Sequence, residues 1–339
     1  MKNFKSEMCY SLNTKLFLVF YFLGLVLFNF GSYCAWAKAP KTPKILFTSW
    51  RDGNGEIYTM NPDGSEQVRL TWHRANDTSA VWSPTGDQIL FVSDRNEGIP
   101  DLFLMDADGE NVQKIFDRSD RRNHPTFSAD GKEIAYLQYF DEAIYTATIE
   151  GEKERRVVRV NEHGGNPDWS PTAAEIAFIS SHWFPERKLS VLNLKTNKKD
   201  TFKLFNPAGG ARPLRPNYAA WAPSGDKIAF STLPSDADLA DQGTIYTLNR
   251  DGTRIKQIVS KKGLRAYLPV WSPNENALAY TQGIDKTQQI FKIDINSRAV
   301  KQLTHHGNNH ASDWFDPAAL PVQPNTKLLT TMWSKLKQE

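Results

Sequence analysis

The sequence predicts an all-β fold, a six-bladed β-propeller whose closing blade joins three N-terminal strands to one C-terminal strand. One observation is an aromatic residue in the frame of a Ser-Pro-x-Gly-like turn, met at Trp82, Phe127, Trp169, Trp221, Trp271 and Trp314. The steps between these are 45, 42, 52, 50 and 43 residues, the period of a four-stranded blade rather than of a helical repeat. A second is that short apolar runs recur between polar turns at fixed places in each repeat. A third is that the two ends of the repeat array lack complementary parts.

Within a repeat the aromatic comes first, then a turn such as Ser83-Pro84-Thr85-Gly86, then a first strand. First strands read Ile45-Leu46-Phe47, Ile89-Leu90-Phe91, Ile134-Ala135-Tyr136, Ile176-Ala177-Phe178, Ile228-Ala229-Phe230 and Leu278-Ala279-Tyr280. Apart from the longer run at Ile89, each is expected to be three residues long, and their composition suits a pleated, half-buried surface. Second strands carry Ile57-Tyr58, Leu102-Phe103, Ile144-Tyr145, Ile245-Tyr246 and Ile290-Phe291; at Leu189-Ser190 the aromatic is lost. Outer strands such as Val68-Arg69-Leu70-Thr71 follow Asp63-Gly64, Asp108-Gly109 and Asp251-Gly252, whose glycines supply the positive φ of a tight hairpin. Their basic residues discourage edge-to-edge association. The repeated aromatics are read as packing between blades, not as a ligand platform.

A propeller must close without leaving an open sheet edge. Ile45 to Ser49 reads as a first strand with no aromatic strand ahead of it, and the Trp314 segment as an aromatic strand with nothing after it. The Trp314 strand is therefore expected to complete the blade begun at Ile45.

The propeller is expected over residues 38–317. Ahead of it, Lys2, Lys5 and Lys15 flank an apolar run from Leu16 to Phe28, then small residues lead to Ala35-Trp36-Ala37. The run is short for a membrane span of about 20 residues and fits a secretory signal, with cleavage expected after Ala37. Both cysteines, Cys9 and Cys34, fall in that segment, so the mature chain is expected without disulfides or thiol chemistry. Removing the segment's three lysines and one glutamate lowers the formal charge from +3 to about +1. Such a balance gives no basic footprint for nucleic acid. A periplasmic or secreted location is expected, with no stable membrane span after cleavage, for a chain expected to be monomeric. Residues 318–339 read as a proline-rich tail.

The frame Trp-Ser-Pro-x-Gly, then Ile-Tyr-x-Met-Asn-x-Asp-Gly, then Arg-Leu-Thr resembles the propeller repeats of the TolB family. Arg51 to Gly64 and Trp271-Ser272-Pro273-Asn274 carry it most closely, and it covers about residues 45–317. The resemblance implies a periplasmic six-bladed propeller that contacts envelope proteins. Family members carry an α/β domain ahead of the propeller; here a free-standing propeller is expected. The repeats also resemble those that precede the hydrolase domain of the prolyl oligopeptidase group, but the chain contains no Gly-x-Ser-x-Gly elbow.

Function in propellers is sought at the mouth of the central channel, in the loops entering the innermost strands. Those loops concentrate histidine, arginine and asparagine, and six candidate ligand-binding residues follow: Asp77, His124, Asn166, Asn217, Tyr267 and His310. Such a funnel suits a peptide or an acidic partner segment. His305, His306 and His310 do not have a recognised metal-ligand spacing, and the Asp106-x-Asp108-Gly109 run lacks the glutamate of a calcium loop, so neither metal nor cofactor is expected. Asp168 and Asp313, each just before a blade tryptophan, are the nearest to a pair of inner carboxylates. The expected function is a non-catalytic protein- or peptide-binding scaffold at the cell envelope, with an exported hydrolase or lyase acting on carbohydrate as the alternative.

Overall fold

The computed structural model describes residues 38–161, 164–183, 186–209, 213–234, 243–260, 265–284 and 286–320. The described residues form six four-stranded antiparallel sheets. The first blade combines β1 (Lys44–Ser49), β2 (Glu56–Met60) and β3 (Val68–Arg69) with the last strand of the chain, β24 (Asn309–Phe315). The second holds β4 (Asp77–Trp82), β5 (Gln88–Ser93), β6 (Asp101–Asp106) and β7 (Gln113–Lys114), and the third β8 (Arg122–Phe127), β9 (Glu133–Gln138), β10 (Ala143–Thr148) and β11 (Arg155–Arg159). The fourth is β12 (Gly165–Trp169), β13 (Glu175–Trp183), β14 (Glu186–Asn193) and β15 (Lys199–Phe202). The fifth is β16 (Pro216–Trp221), β17 (Lys227–Thr232), β18 (Ile245–Asn249) and β19 (Lys256–Gln257). The sixth is β20 (Ala266–Trp271), β21 (Ala277–Ile284), β22 (Thr287–Asp294) and β23 (Val300–Gln302). The ring thus closes as the complementary ends require, with β24 paired to β1.

Each strand follows from its residues. The serine after the blade aromatic closes the turn: Gln88, Glu133 and Ala277 donate their backbone N–H to the hydroxyls of Ser83, Ser128 and Ser272. First and second strands meet in the same register in every blade, which sets aromatic rings side by side. Phe47 and Tyr58 have centroids 5.3 Å apart, Phe91 and Phe103 5.9 Å, Tyr136 and Tyr145 6.2 Å, Phe230 and Tyr246 5.6 Å, and Tyr280 and Phe291 5.7 Å. In the fourth blade Phe178 faces Ser190, whose hydroxyl instead shares hydrogen bonds with Ser180 at 2.9 Å and Thr201 at 3.0 Å. A hydroxyl ladder there replaces the ring pair.

Two expectations are refined. First strands are longer than three residues: β1 has 6 and β13 has 9. Their polar ends stay buried because Ser49 and Ser93 accept hydrogen bonds from Arg51 and Arg95, so pairing continues past the apolar core. The second concerns Trp314. Trp82, Phe127, Trp169, Trp221 and Trp271 are buried, as a packing role requires. Trp314 is only partly buried, and its neighbour Phe315 enters the core against Trp82, with ring centroids 5.6 Å apart. Residues 1–37, where a secretory signal is expected, and the tail beyond residue 320 lie outside the described residues. Among the described residues no helix is long and apolar enough to cross a membrane.

A candidate binding site in the central channel

Every innermost strand contains one extra residue opposite its first-strand partner, between its entry and its aromatic. In four blades the residue three positions before the aromatic is left-handed: Ser79 at φ 54, His124 at 52, Asn166 at 50 and Leu268 at 52. That conformation is unfavourable for a side chain such as leucine, and bulges of this kind turn side chains out of the ladder. Here Ser79, His124, Asn166 and Leu268 line a central channel of about 620 Å³.

Around the channel mouth rings from four blades form an arc. The His124 ring lies 6.1 Å from Tyr218, Tyr218 lies 6.3 Å from Tyr267, Tyr267 lies 5.7 Å from His310, and His310 meets the Trp50 ring edge at 4.7 Å. The Tyr267 hydroxyl and His310 Nε2 share a hydrogen bond of 3.1 Å, and His310 also contacts the Gln288 side chain. Burial pushes both the His124 and the His310 imidazoles down to about 4, so both are neutral at pH 7. Burial likewise pushes the Tyr267 hydroxyl up to about 12.

Of the six residues singled out in the sequence, His124, Asn166 and His310 line the channel. Tyr267 stands behind His310 and holds it. Asn217 is buried and accepts from Arg187 Nη1 at 2.6 Å. Asp77 is buried with one oxygen paired to Arg95 at 2.8 Å and the other without a partner among the described residues. Asp77 and Asn217 thus fix the entries of their strands, away from the channel lining.

Deeper in the channel stand Asp168 of the fourth blade and Asp313 of the first, on opposite sides of the ring. Burial raises Asp168 to about 7 against the hydrogen bond from the Trp221 N–H, and the charge of Asp313 raises it further. Burial raises Asp313 to about 6 against the N–H groups of Trp82 and Trp314. Among the described residues no group of histidine, cysteine and carboxylate side chains has a metal-holding arrangement.

Sequence reasoning passed over Trp50 and Arg187 and did not single out Tyr218 and Arg265. Tyr218 and Arg265 were legible as members of the entry loops. Trp50 lies in the β1–β2 connection and Arg187 at the start of β14, and they become mouth residues only because those hairpins fold to the end where the innermost strands begin.

The family model described as TolB beta propeller domain matches residues 26–148 and 142–320. A protein of Agrobacterium fabrum carrying the name "Uncharacterized protein Atu1656" is 39% identical over 106 residues, 28% of this chain and 36% of its own length. A "Protein TolB homolog" of Protochlamydia amoebophila is 26% identical over 280 residues, 72% of this chain and 56% of its own. Another of Chlorobium luteolum is 27% identical over 155 residues, 45% of this chain and 35% of its own. The chain therefore spans between about a third and just over half of the length of these relatives. Among solved structures, TolB from Acinetobacter baumannii superposes with a TM-score of 0.68 at 15% identity, covering 80% of this chain and 66% of that one. A chain of a nidogen/laminin complex superposes at 0.61 and 12% identity, covering 80% of this chain and 97% of that one, a likeness of fold alone. The repeats, the six closed blades and the family match together place this chain in the TolB beta propeller domain family.

Proposed function

We propose that the protein is an exported binding propeller that seats a protein or peptide segment in the mouth of its channel and does no chemistry on it. The observation that carries this reading is the ring arc from His124 to Trp50 above a channel of about 620 Å³. Preformed concavities of this size, lined by aromatic groups and a few fixed polar ones, suit a ligand of several residues. Tyrosine, tryptophan and arginine are also the residues on which interface energy concentrates. Export rests on the signal-like segment before residue 38 and on the periplasmic location typical of the family.

The test is site-specific photo-crosslinking in cells expressing the full chain, with p-benzoylphenylalanine replacing Trp50, and replacing Val300 on an outer strand as the control. Adducts to a defined peptide segment from Trp50, weakened by Tyr218→Ala, are expected. Adduct yields from Trp50 no greater than from Val300 would sink the reading.

The second reading, a hydrolase or lyase acting on carbohydrate, is favoured by one observation, the raised values of Asp168 and Asp313 across the channel. Against it, both Asp313 oxygens and one of Asp168 accept backbone N–H groups of inner strands, which is a structural use. Reducing-sugar and unsaturated-product assays on acidic and neutral polysaccharides, with Asp168→Asn and Asp313→Asn as controls, decide it; activity lost in both variants would establish it.

A further inference from the structure

Four of the enclosed arginines in this propeller face a carboxylate. Arg69 meets Glu56 at 2.6 Å, Arg95 meets Asp77 at 2.8 Å, Arg122 meets Asp101 at 3.1 Å and Arg250 meets Glu175 at 2.6 Å. Arg187 and Arg265 are equally half-buried, yet among the described residues no carboxylate pairs with either. Arg187 spends one N–H on Asn217, next in the chain to Tyr218. The Arg265 guanidinium lies 5.0 Å from the Tyr267 ring centroid, and its Nε is buried without an acceptor among the described residues. Both cations therefore stand beside the Tyr218–Tyr267 pair of the arc.

Partial burial of guanidinium without a counter-charge is costly, and an arriving anion relieves it. The field at Arg187 agrees. Burial lowers its proton affinity first, and the neighbouring positive charges of Arg215 and Arg265 lower it further. The fork of donors on each guanidinium matches the two oxygens of a carboxylate.

We propose that Arg187 and Arg265, beside Tyr218 and Tyr267, form a carboxylate-binding subsite of the channel mouth. Resting on the peptide reading above, it takes an acidic side chain or the C-terminal carboxylate of the seated segment. Recognition is by charge and fork geometry, with the tyrosine rings packing the flanking residues.

Two probes test it on the full chain. The first is glutarate, titrated calorimetrically beside its uncharged counterpart glutaramide. The second is an array of octapeptides in matched pairs that differ by Glu or Gln at one place, or by a free or amidated C-terminus. Glutarate should bind and glutaramide should not, acidic members should be retained over their neutral partners, and both effects should fall about tenfold or more in Arg187→Gln/Arg265→Gln. The pair of contrasts tells side-chain from terminal carboxylate. If the glutamine variant fails to fold by circular dichroism, Arg187→Lys/Arg265→Lys keeps the charge without the fork and should weaken glutarate several-fold. Peptides retained equally with or without carboxylates, and no glutarate binding, would overturn the subsite and leave the peptide reading standing. Glutarate bound through the arginines with no peptide retained would uphold the subsite and overturn the peptide reading. An acidic preference that survives in a folded glutamine variant also overturns the subsite.

Discussion

The Asp168 carboxylate accepts the backbone N–H of Trp221, the aromatic of the next inner strand, at 2.6 Å. On the opposite side of the ring Asp313 does the same for Trp82 at 2.7 Å, and between them Thr126 accepts from Trp169 at 3.2 Å. The residue before the blade aromatic is thus a link between adjacent blades wherever it is polar. At Ala220 the indole Nε1 of Trp271 reaches the carbonyl at 3.1 Å, as the Trp221 indole also reaches that of Asp168 at 3.1 Å.

Removing the acid at Asp168 should therefore change stability with pH while keeping the link. Its folded value, raised to about 7, lies above the unfolded one. Its contribution is then complete below about pH 4 and is lost as pH rises through 7. Asp168→Asn keeps an acceptor for Trp221 and carries no charge. Relative to the parent, the variant should gain a few kcal/mol between pH 4 and 8, at about 1.4 kcal/mol per pKa unit. His124 and His310 act oppositely: their lowered values make a contribution that is complete above about pH 6.5 and is lost as pH falls through 4. Urea titrations of both proteins across that range check this; parallel stability curves would refute it.

Architecture was legible because it repeats. A period, a turn and two apolar runs recur often enough to outweigh drift in any one copy, and the closing pair, β1 with β24, followed from what each end lacked. The site was legible only by region. Whether Asn217 or its neighbour Tyr218 belongs to the ring arc depends on a single-residue bulge in β16, and no pattern of apolar and polar residues marks that bulge. The exchange between Trp314 and Phe315 has the same origin: two adjacent aromatics at a strand end leave it to packing which one enters the core.

Phe315 should matter more than Trp314. Phe315 is buried in the cluster with Trp82, so Phe315→Ala should cost about 3–5 kcal/mol. Trp314→Ala, at a partly exposed position, should cost about 1–2 kcal/mol. Thermal melts that rank the two the other way would show that Trp314 takes the blade-packing role of the other five aromatics.

Gly109 is fixed by two requirements at once. Its φ is +91, and a Cβ there would stand 2.4 Å from the Leu70 carbonyl oxygen of the preceding blade. Gly53 has φ +105 with nothing within 4 Å of the corresponding Cβ. Gly53→Ala then reports backbone strain alone, about 1 kcal/mol, while Gly109→Ala should cost about 3 kcal/mol because blade contact must also open. Equal losses in chemical denaturation would mean that the blade contact yields freely.

Arg122 holds two carboxylates in the second and third blades. It meets fully buried Asp101 at 3.1 Å and Glu154 at 3.1 Å, and its guanidinium lies 3.8 Å from the Phe116 ring centroid. Arg122→Met keeps most of the packing volume and strands the Asp101 carboxylate, with Lys114 at 3.6 Å the remaining cation. The loss should be about 3–5 kcal/mol, because a buried charge without its partner keeps its desolvation penalty. Replacing both, as Arg122→Met/Asp101→Leu, removes the stranded charge as well and should recover at least half of that loss. A double variant no more stable than Arg122→Met would show that the arginine acts through packing on Phe116 rather than through the ion pair.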